Sequence, residues 1–330
     1  MTAKRVGLIG AGGIANEHLP GWLGLGYEVV VHSLEGAAEL TARHGGRVVD
    51  SLDELFAFAE IVDIVTPTPT HRDLVERAAA AGKHVVCEKP LAPTVPDCVE
   101  MIAACDRAGV RLFPAHVVRY FPAYAALRQA VAAGAVGPVA VQRFFRIGAA
   151  PSRPWFRDRA VSGGIAMDQM IHDFDQARWI AGDVRSVHAR QSGADAPGSS
   201  TTVQAVLRHE SGAITHVNGV WGASSLSFHT GFTVAGEHGM LEHDSRRHPV
   251  LGYDGLANDA SSGYLPPVDH TLSPYAAELA DFARAIHDGD AAAVDARDGM
   301  EAVRIAAAVN RSLDEGTEVL VEQIMSEEVR

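Results

Sequence analysis

The chain has 330 residues, of which 47% are hydrophobic and 21% charged, a balance that excludes a disordered chain and leaves room for two cores. Its formal charge of −13 argues against a broadly basic nucleic-acid binder, though a local positive site for an anionic ligand remains open. Cys87, Cys98 and Cys105 make neither a disulfide framework nor a metal-ligand cluster, so no metal is expected and a reducing cytoplasm is the expected location.

Val6 to Ile9 is a short apolar run that drops into Gly10-x-Gly12-x-x-Ala15. It starts so close to Met1 that no signal peptide is expected before it, and no window reads as a membrane span. This is the strand, glycine turn and helix start of a dinucleotide-binding unit. Gly10 makes the turn, Gly12 lets the backbone approach a pyrophosphate, and Ala15 lets the helix pack close. Phosphates would sit on the free N–H groups of the turn through Gly13 and Ile14. An ordinary glycine-rich turn uses the same residues, so the motif needs the context that follows.

Tyr27 to Val31 reads as a second strand. It ends in His32-Ser33-Leu34-Glu35, without the Asp that holds the ribose hydroxyls in many such folds. Ser33 takes that place and tolerates a 2'-phosphate, whereas Glu35 could serve NAD. Both NAD and NADP therefore stay open. Leu52 to Phe56 reads as a short helix and Ile61 to Val65 as a further strand, ending in Thr66-Pro67-Thr68-Pro69-Thr70-His71. Thr66, Pro67 and His71 lie where ligands bind in open α/β sheets. A helix to Ala81 follows, then the strand His84 to Cys87 ending at Glu88-Lys89-Pro90, a helix from Thr94 to Ala108, and a strand from Val110 to Ala115. Alternating strands and helices predict a parallel sheet covered on both sides.

The pattern changes near residue 119. Tyr124 to Ala133 and Met167 to Ile180 read as helices. Val139 to Ile147, Val184 to Arg190, Thr201 to His209, Ile214 to Trp221 and Thr230 to Ala235 read as strands, with Gly212 turning a hairpin. Asp244 to His270 reads as a long loop, Pro274 to Ile286 and Ala296 to Ser312 as helices, and Glu318 to Val321 as a last strand. The expected architecture is an N-terminal Rossmann domain, residues 1–118, followed by an α+β domain, residues 119–330, with an open, predominantly antiparallel sheet.

Three constellations could carry chemistry. Lys89, at the end of a parallel strand and restricted by Pro90, could donate to an oxygen that gains charge, with Glu88 touching the cofactor; a surface Glu-Lys pair is the plain alternative. Asp168 and His172 are four apart and share a helix face behind Gly163-Gly164. They suit a base and its orienting acid, or else form a surface pair of small worth; a metal site is the third reading, and it lacks a clear further ligand. His116, Arg119, Tyr120, Trp155, Phe156 and Arg157 suit the wall of a polar, ring-shaped substrate or an oligomer contact.

Gly10-x-Gly12-x-x-Ala15, Thr66-Pro67-x-x-x-His71, Glu88-Lys89-Pro90, Gly163-Gly164-x-x-x-Asp168-x-x-x-His172-x-x-Asp175 and Phe282-x-x-x-Ile286 come in one order along nearly the whole chain. In this the chain resembles the glucose-fructose oxidoreductase / inositol dehydrogenase / rhizopine catabolism (Gfo/Idh/MocA) family of NAD(P)-dependent oxidoreductases, nearest to its inositol dehydrogenase branch. The resemblance implies Lys89, Asp168 and His172 as the catalytic trio. It implies a polyol or sugar substrate met by His116, Arg119, Trp155, Arg157, Asp168 and His172, and no nucleic-acid or membrane partner. A homodimer or homotetramer would form through the second-domain sheet. Gln169 stands where that branch has Met, and His116 where many relatives have Asn. A sugar or ketone reductase, an NAD-retaining glycosidase and a non-catalytic cofactor binder are the alternatives.

Overall fold

A computed structural model of the protein describes residues 4–151, 154–193, 200–246, 252–255 and 272–324. They fall into two compact units. The first contains the chain to Tyr120 together with the described part of Asp269–Met300, and the second contains the rest.

The first unit holds a six-stranded parallel sheet. Its strands are β1 (Arg5–Ile9), β2 (Glu28–His32), β3 (Arg47–Val48), β4 (Ile61–Ile64), β5 (His84–Glu88) and β6 (Leu112–Ala115), in the order β3-β2-β1-β4-β5-β6. This is the doubly wound order of dinucleotide-binding folds. Val6, Leu8, Ile61, Ile64, Val85 and Val86 are all completely buried, as strands covered on both faces require. The covering helices include α1 (Ala15–Gly24), α2 (Ala37–His44), α3 (Leu52–Phe58), α4 (His71–Ala80) and α5 (Val95–Ala108). Ser51 and Thr94 cap α3 and α5 by accepting from the backbone N–H three residues on, the local signal that starts a helix. β3 is a strand that the sequence reading passed over. It has only two residues, both exposed, and shows no hydrophobic pattern.

The second unit starts with α6 (Pro122–Ala132) and β7 (Val139–Ala149), followed by the short α7 (Arg159–Ser162) and by α8 (Ile171–Ala181). Strands β8 (Val184–Ser192), β9 (Thr201–His209), β10 (Ile214–Gly222), β11 (His229–Gly236), β12 (Gly239–Asp244) and β13 (Gly252–Gly255) come next. With the late β14 (Val319–Leu320) they form an eight-stranded sheet in the order β13-β12-β11-β7-β10-β9-β8-β14. Its pairs are antiparallel except β7 with β10. β13 corrects the long loop expected from Asp244 to His270, and β12, just before it, is a strand the sequence reading did not assign. β12 folds back on β11 across Glu237 and His238 and runs to Asp244, and β13 pairs with β12. Residues 247–251 and 256–271 lie outside the described residues. No helix of the described residues is long and apolar enough to cross a membrane.

The division at residue 118 needs correction, because the chain returns to the first unit. Helix α9 (Pro274–Asp288) buries Leu279, Phe282 and Ala283 in the first unit's core, beside Leu19, Trp22 and Phe113. Phe282 stacks on Phe113 with ring centroids 4.9 Å apart. Arg111, just before β6, donates to Ala285 O at 2.7 Å and to Asp290 O at 2.9 Å, closing the C-terminal end of α9 with a cation. Helix α10 (Ala296–Glu315) follows, and the division between units falls within it after Met300. An amphipathic helix shows that it needs a core but not which one, so the pattern at 274–286 left this choice unread. Phe282→Ala is expected to cost the first unit about 3–5 kcal/mol, as large-to-small changes in cores do, read as a lowered urea midpoint. An unchanged midpoint would show that α9 contributes nothing to that core.

Candidate active site

The parallel strands of the first unit point their C-terminal ends to one edge, and the expected cofactor residues follow one another along it. Gly10 leaves β1 at φ +110, and a Cβ there would lie 2.9 Å from Val65 O. Only glycine takes this turn without strain. Its N–H donates to His32 O at 2.9 Å. Gly13 is exposed, with no heavy atom within 4 Å of the place a Cβ would take. Ile14 occupies the cap position of α1, and no side chain caps that helix. The Asn16 amide instead donates to Gly12 O and Gly13 O, at 3.3 and 3.1 Å, so it braces the turn from its carbonyl side. A helix N-terminus without a side-chain cap behind an open glycine turn fits the pyrophosphate of a dinucleotide.

Ser33 is half-buried just beyond β2, between His32, whose Nδ1 lies 3.1 Å from Val49 O, and a fully exposed Leu34. Arg43 donates to Asn16 Oδ1 at 2.7 Å. Beyond β4, Thr66 is half-buried with its hydroxyl 2.7 Å from that of Thr70, and Pro67 is exposed. Lys89 is half-buried at the end of β5.

Two of the expected cofactor contacts are turned inward. His71 is completely buried. Its Nδ1 lies 3.0 Å from Pro90 O and its Nε2 2.9 Å from Thr66 O, and burial lowers its pKa against the partial support of those carbonyls. It ties together the two loops that carry Thr66 and Lys89, and does so from the protein side. The Glu88 carboxylate also points inward, to His18, with Oε1 at 3.2 Å from Nε2. His18 is a member of this site that the sequence reading missed. The signal available was a histidine one turn into the first helix, among residues that otherwise bury apolar side chains.

His116 and Arg119 follow β6 in the same unit, and both are buried. The Arg119 guanidinium, 1% exposed, pairs with Asp298 Oδ2 at 2.9 Å and also donates to Ala293 O. These bonds, rather than a substrate, satisfy those donors. Tyr120 donates to Asp281 at 2.8 Å.

In the second unit, Gly163 and Gly164 take φ +73 and +69, and a Cβ on Gly163 would lie 2.5 Å from Met167 Cβ. This double left-handed turn leads into a wide π-helical turn, Ala166–Met170, which runs on as α8. The expected single α-helix thus begins with a π segment, a feature frequent at functional sites. Three residues of this segment and α8 are pegged to β7. Gln169 Nε2 donates to Arg146 O at 2.7 Å. Asp173 forms a two-pronged buried ion pair with the Arg146 guanidinium, at 2.8 and 3.3 Å. Gln142 donates to Ala177 O at 3.1 Å. Positions 169, 173 and 177 therefore form the stripe turned to the sheet. Asp168 and His172, each one residue earlier, lie on the neighbouring stripe, and both are half-buried. Gln169, the departure from the resemblance noted above, is a structural peg. Trp155 and Phe156 stack with centroids 3.8 Å apart and are half-buried, whereas the side chain of Arg157 lies outside the described residues.

Comparison with known proteins agrees with this architecture. Residues 4–116 match the family model described as an oxidoreductase family with an NAD-binding Rossmann fold. Residues 124–242 match the Gfo/Idh/MocA C-terminal domain. The chain is similar to a 1,5-anhydro-D-fructose reductase of Ensifer adhaerens, 32% identical over 97% of this chain and 99% of that one. It is also similar to a myo-inositol 2-dehydrogenase of Thermotoga maritima, 32% identical over 81% of each. Among solved structures, levoglucosan dehydrogenase in complex with NADH and L-sorbose shares the fold, at a TM-score of 0.82 and 22% identity, over 97% of this chain and 99% of that one. The chain belongs to the Gfo/Idh/MocA family of NAD(P)-dependent oxidoreductases.

Proposed function

We propose that the protein transfers hydride between a nicotinamide dinucleotide, NAD or NADP, and a secondary carbinol of a cyclic polyol or sugar, in the manner of an inositol 2-dehydrogenase. The observation that carries this reading is the glycine-made π turn that sets Asp168 and His172 on one stripe while their neighbours are pegged to β7. The bound cofactor supplies the hydride acceptor or donor. His172 takes the proton of the substrate hydroxyl as general base. Asp168 binds substrate and favours the charged imidazole that results. Lys89 holds the reacting oxygen while its charge changes and helps relay the proton. Trp155 is the apolar wall for the ring. The similarity to a myo-inositol 2-dehydrogenase supports the polyol class.

A second reading, a sugar or ketone reductase using NADP, is favoured by the similarity to a 1,5-anhydro-D-fructose reductase along nearly the whole of both chains. The neutral Ser33, which adds no charge against a 2'-phosphate, supports it too. On either reading the protein works in the cytoplasm as a homodimer or homotetramer joined through the sheet of the second unit. The exposed Ile214 on β10 and Phe228 beside β11 support that assembly.

Lys89→Ala and His172→Ala are each expected to retain NADH binding by fluorescence titration and to lose about 10²- to 10⁴-fold in kcat, the usual worth of a positioned acid–base group. The assay is absorbance at 340 nm over a panel of inositols, sugars and ketones. Near-wild-type turnover by both variants would remove these residues from the mechanism. Ser33→Asp is expected to raise the preference for NADH over NADPH by roughly tenfold or more, because two like charges then meet near the surface. An unchanged ratio of dissociation constants would place the 2'-position elsewhere.

A further inference from the structure

The end of β5 rests on a buried polar network to which the proposed chemistry gives no task. His18, on α1, is completely buried. Its Nδ1 lies 2.8 Å from Asp63 Oδ2 on β4, and its Nε2 lies 3.2 Å from Glu88 Oε1 on β5. Trp22, four residues along α1 and so on the same face, donates its indole N–H to the same Asp63 oxygen at 2.7 Å. The other oxygen of Glu88 accepts the backbone N–H of Lys89 at 2.9 Å. A continuous series of hydrogen bonds therefore links Trp22, Asp63, His18, Glu88 and the Lys89 amide.

Both ring nitrogens of His18 face carboxylates, which requires a proton on each and hence an imidazolium. Burial opposes that charge, but the charge and hydrogen bonds of Asp63 and Glu88 outweigh it and hold the pKa of His18 well above its ordinary value. Burial would raise the pKa of Glu88, yet His18 and Lys89 bring it below the usual carboxylate range. Glu278, buried on α9, feels the charges of His18, Glu88 and Asp63. Burial pushes its pKa well above the ordinary value, opposed by the charge of His18 and aided by Glu88, Asp63 and Asp281. A charged histidine costs much to bury, and an apolar residue would fill the space beneath α1 without that cost. What the imidazolium adds is a rigid double hold that fixes the rotamer of Glu88.

We propose that His18 is a positioning residue for Lys89: by clamping the Glu88 carboxylate between its own Nε2 and the Lys89 amide, it sets the backbone direction from which Lys89 presents its ammonium group. The consequence for turnover rests on the reading of Lys89 as catalytic; the clamp does not.

Lys4, Lys83 and Lys89 are the only lysines in the sequence, so labelling with ¹⁵N-lysine gives three backbone amide signals, assignable by substituting Lys4 and Lys83. In the full-length protein saturated with NADH, His18→Gln is expected to move the Lys89 amide signal and leave the other two in place. Asp63→Asn should move it in the same direction by less, and it carries the test if His18→Gln does not fold. On the best substrate of the panel, kcat should fall roughly 10- to 100-fold, as for a small misplacement of a reacting group. KM and the NADH dissociation constant should stay within about threefold, as for an interaction made only in the transition state. An unmoved Lys89 signal in a folded variant that binds NADH overturns the proposal, whereas a moved signal with unchanged kcat supports the clamp and removes Lys89 from the chemistry. A moved signal in a protein whose wild type turns over nothing in the panel supports the clamp and instead defeats the oxidoreductase reading of the substrate.

Discussion

Parallel pairing of six strands, five of them largely buried, is the constraint on which the first unit depends. Parallel neighbours need crossovers, so all the strands end on one edge and the loops that leave them gather there. Gly10, Ser33, Thr66, Lys89 and His116 are scattered over more than a hundred residues of sequence, yet each follows or ends a strand of this sheet. The remaining features adjust that edge. A positive φ at Gly10 turns the chain beneath an uncapped helix start, and His71 ties the Thr66 loop to the loop after Lys89.

The second unit places its functional side chains by a different device. Here one helix start is oriented against one strand. Gln169, Asp173 and Ala177 recur at helical spacing and all bond to β7, through Arg146 and Gln142. Once those three are committed, the rotation of the helix is set, and so is the direction of the adjoining stripe with Asp168 and His172. The buried Arg146–Asp173 pair is costly to assemble and more costly to break halfway. It therefore makes a firm register mark for the half-buried Asp168 and His172 on the adjoining stripe.

How much could be read in the sequence follows the range of the forces involved. The glycine turn after β1 and the double glycine before the π segment are local, and each stood out as residue types at fixed spacing. Short edge strands did not. β3 and β13 lie at sheet edges, each paired with a single neighbouring strand, and their residues carry no periodic pattern. Inward commitments were also hidden. Arg119 reads as a loop cation until Asp298, far along the chain, is brought beside it. Glu88 reads as a cofactor contact until the fold supplies His18.

The sequence by itself determined the resemblance to the family, through motifs in one order along the chain, and the parallel sheet with the residues that follow its strands, because the latter rest on local turn geometry and on burial of contiguous apolar runs. Only the tertiary structure decided which core α9 completes, which side of α8 faces β7 and which polar groups are consumed as internal braces. An amphipathic helix or a buried charge specifies that a partner is needed, but the partner is chosen by whichever surface the folded chain brings within contact.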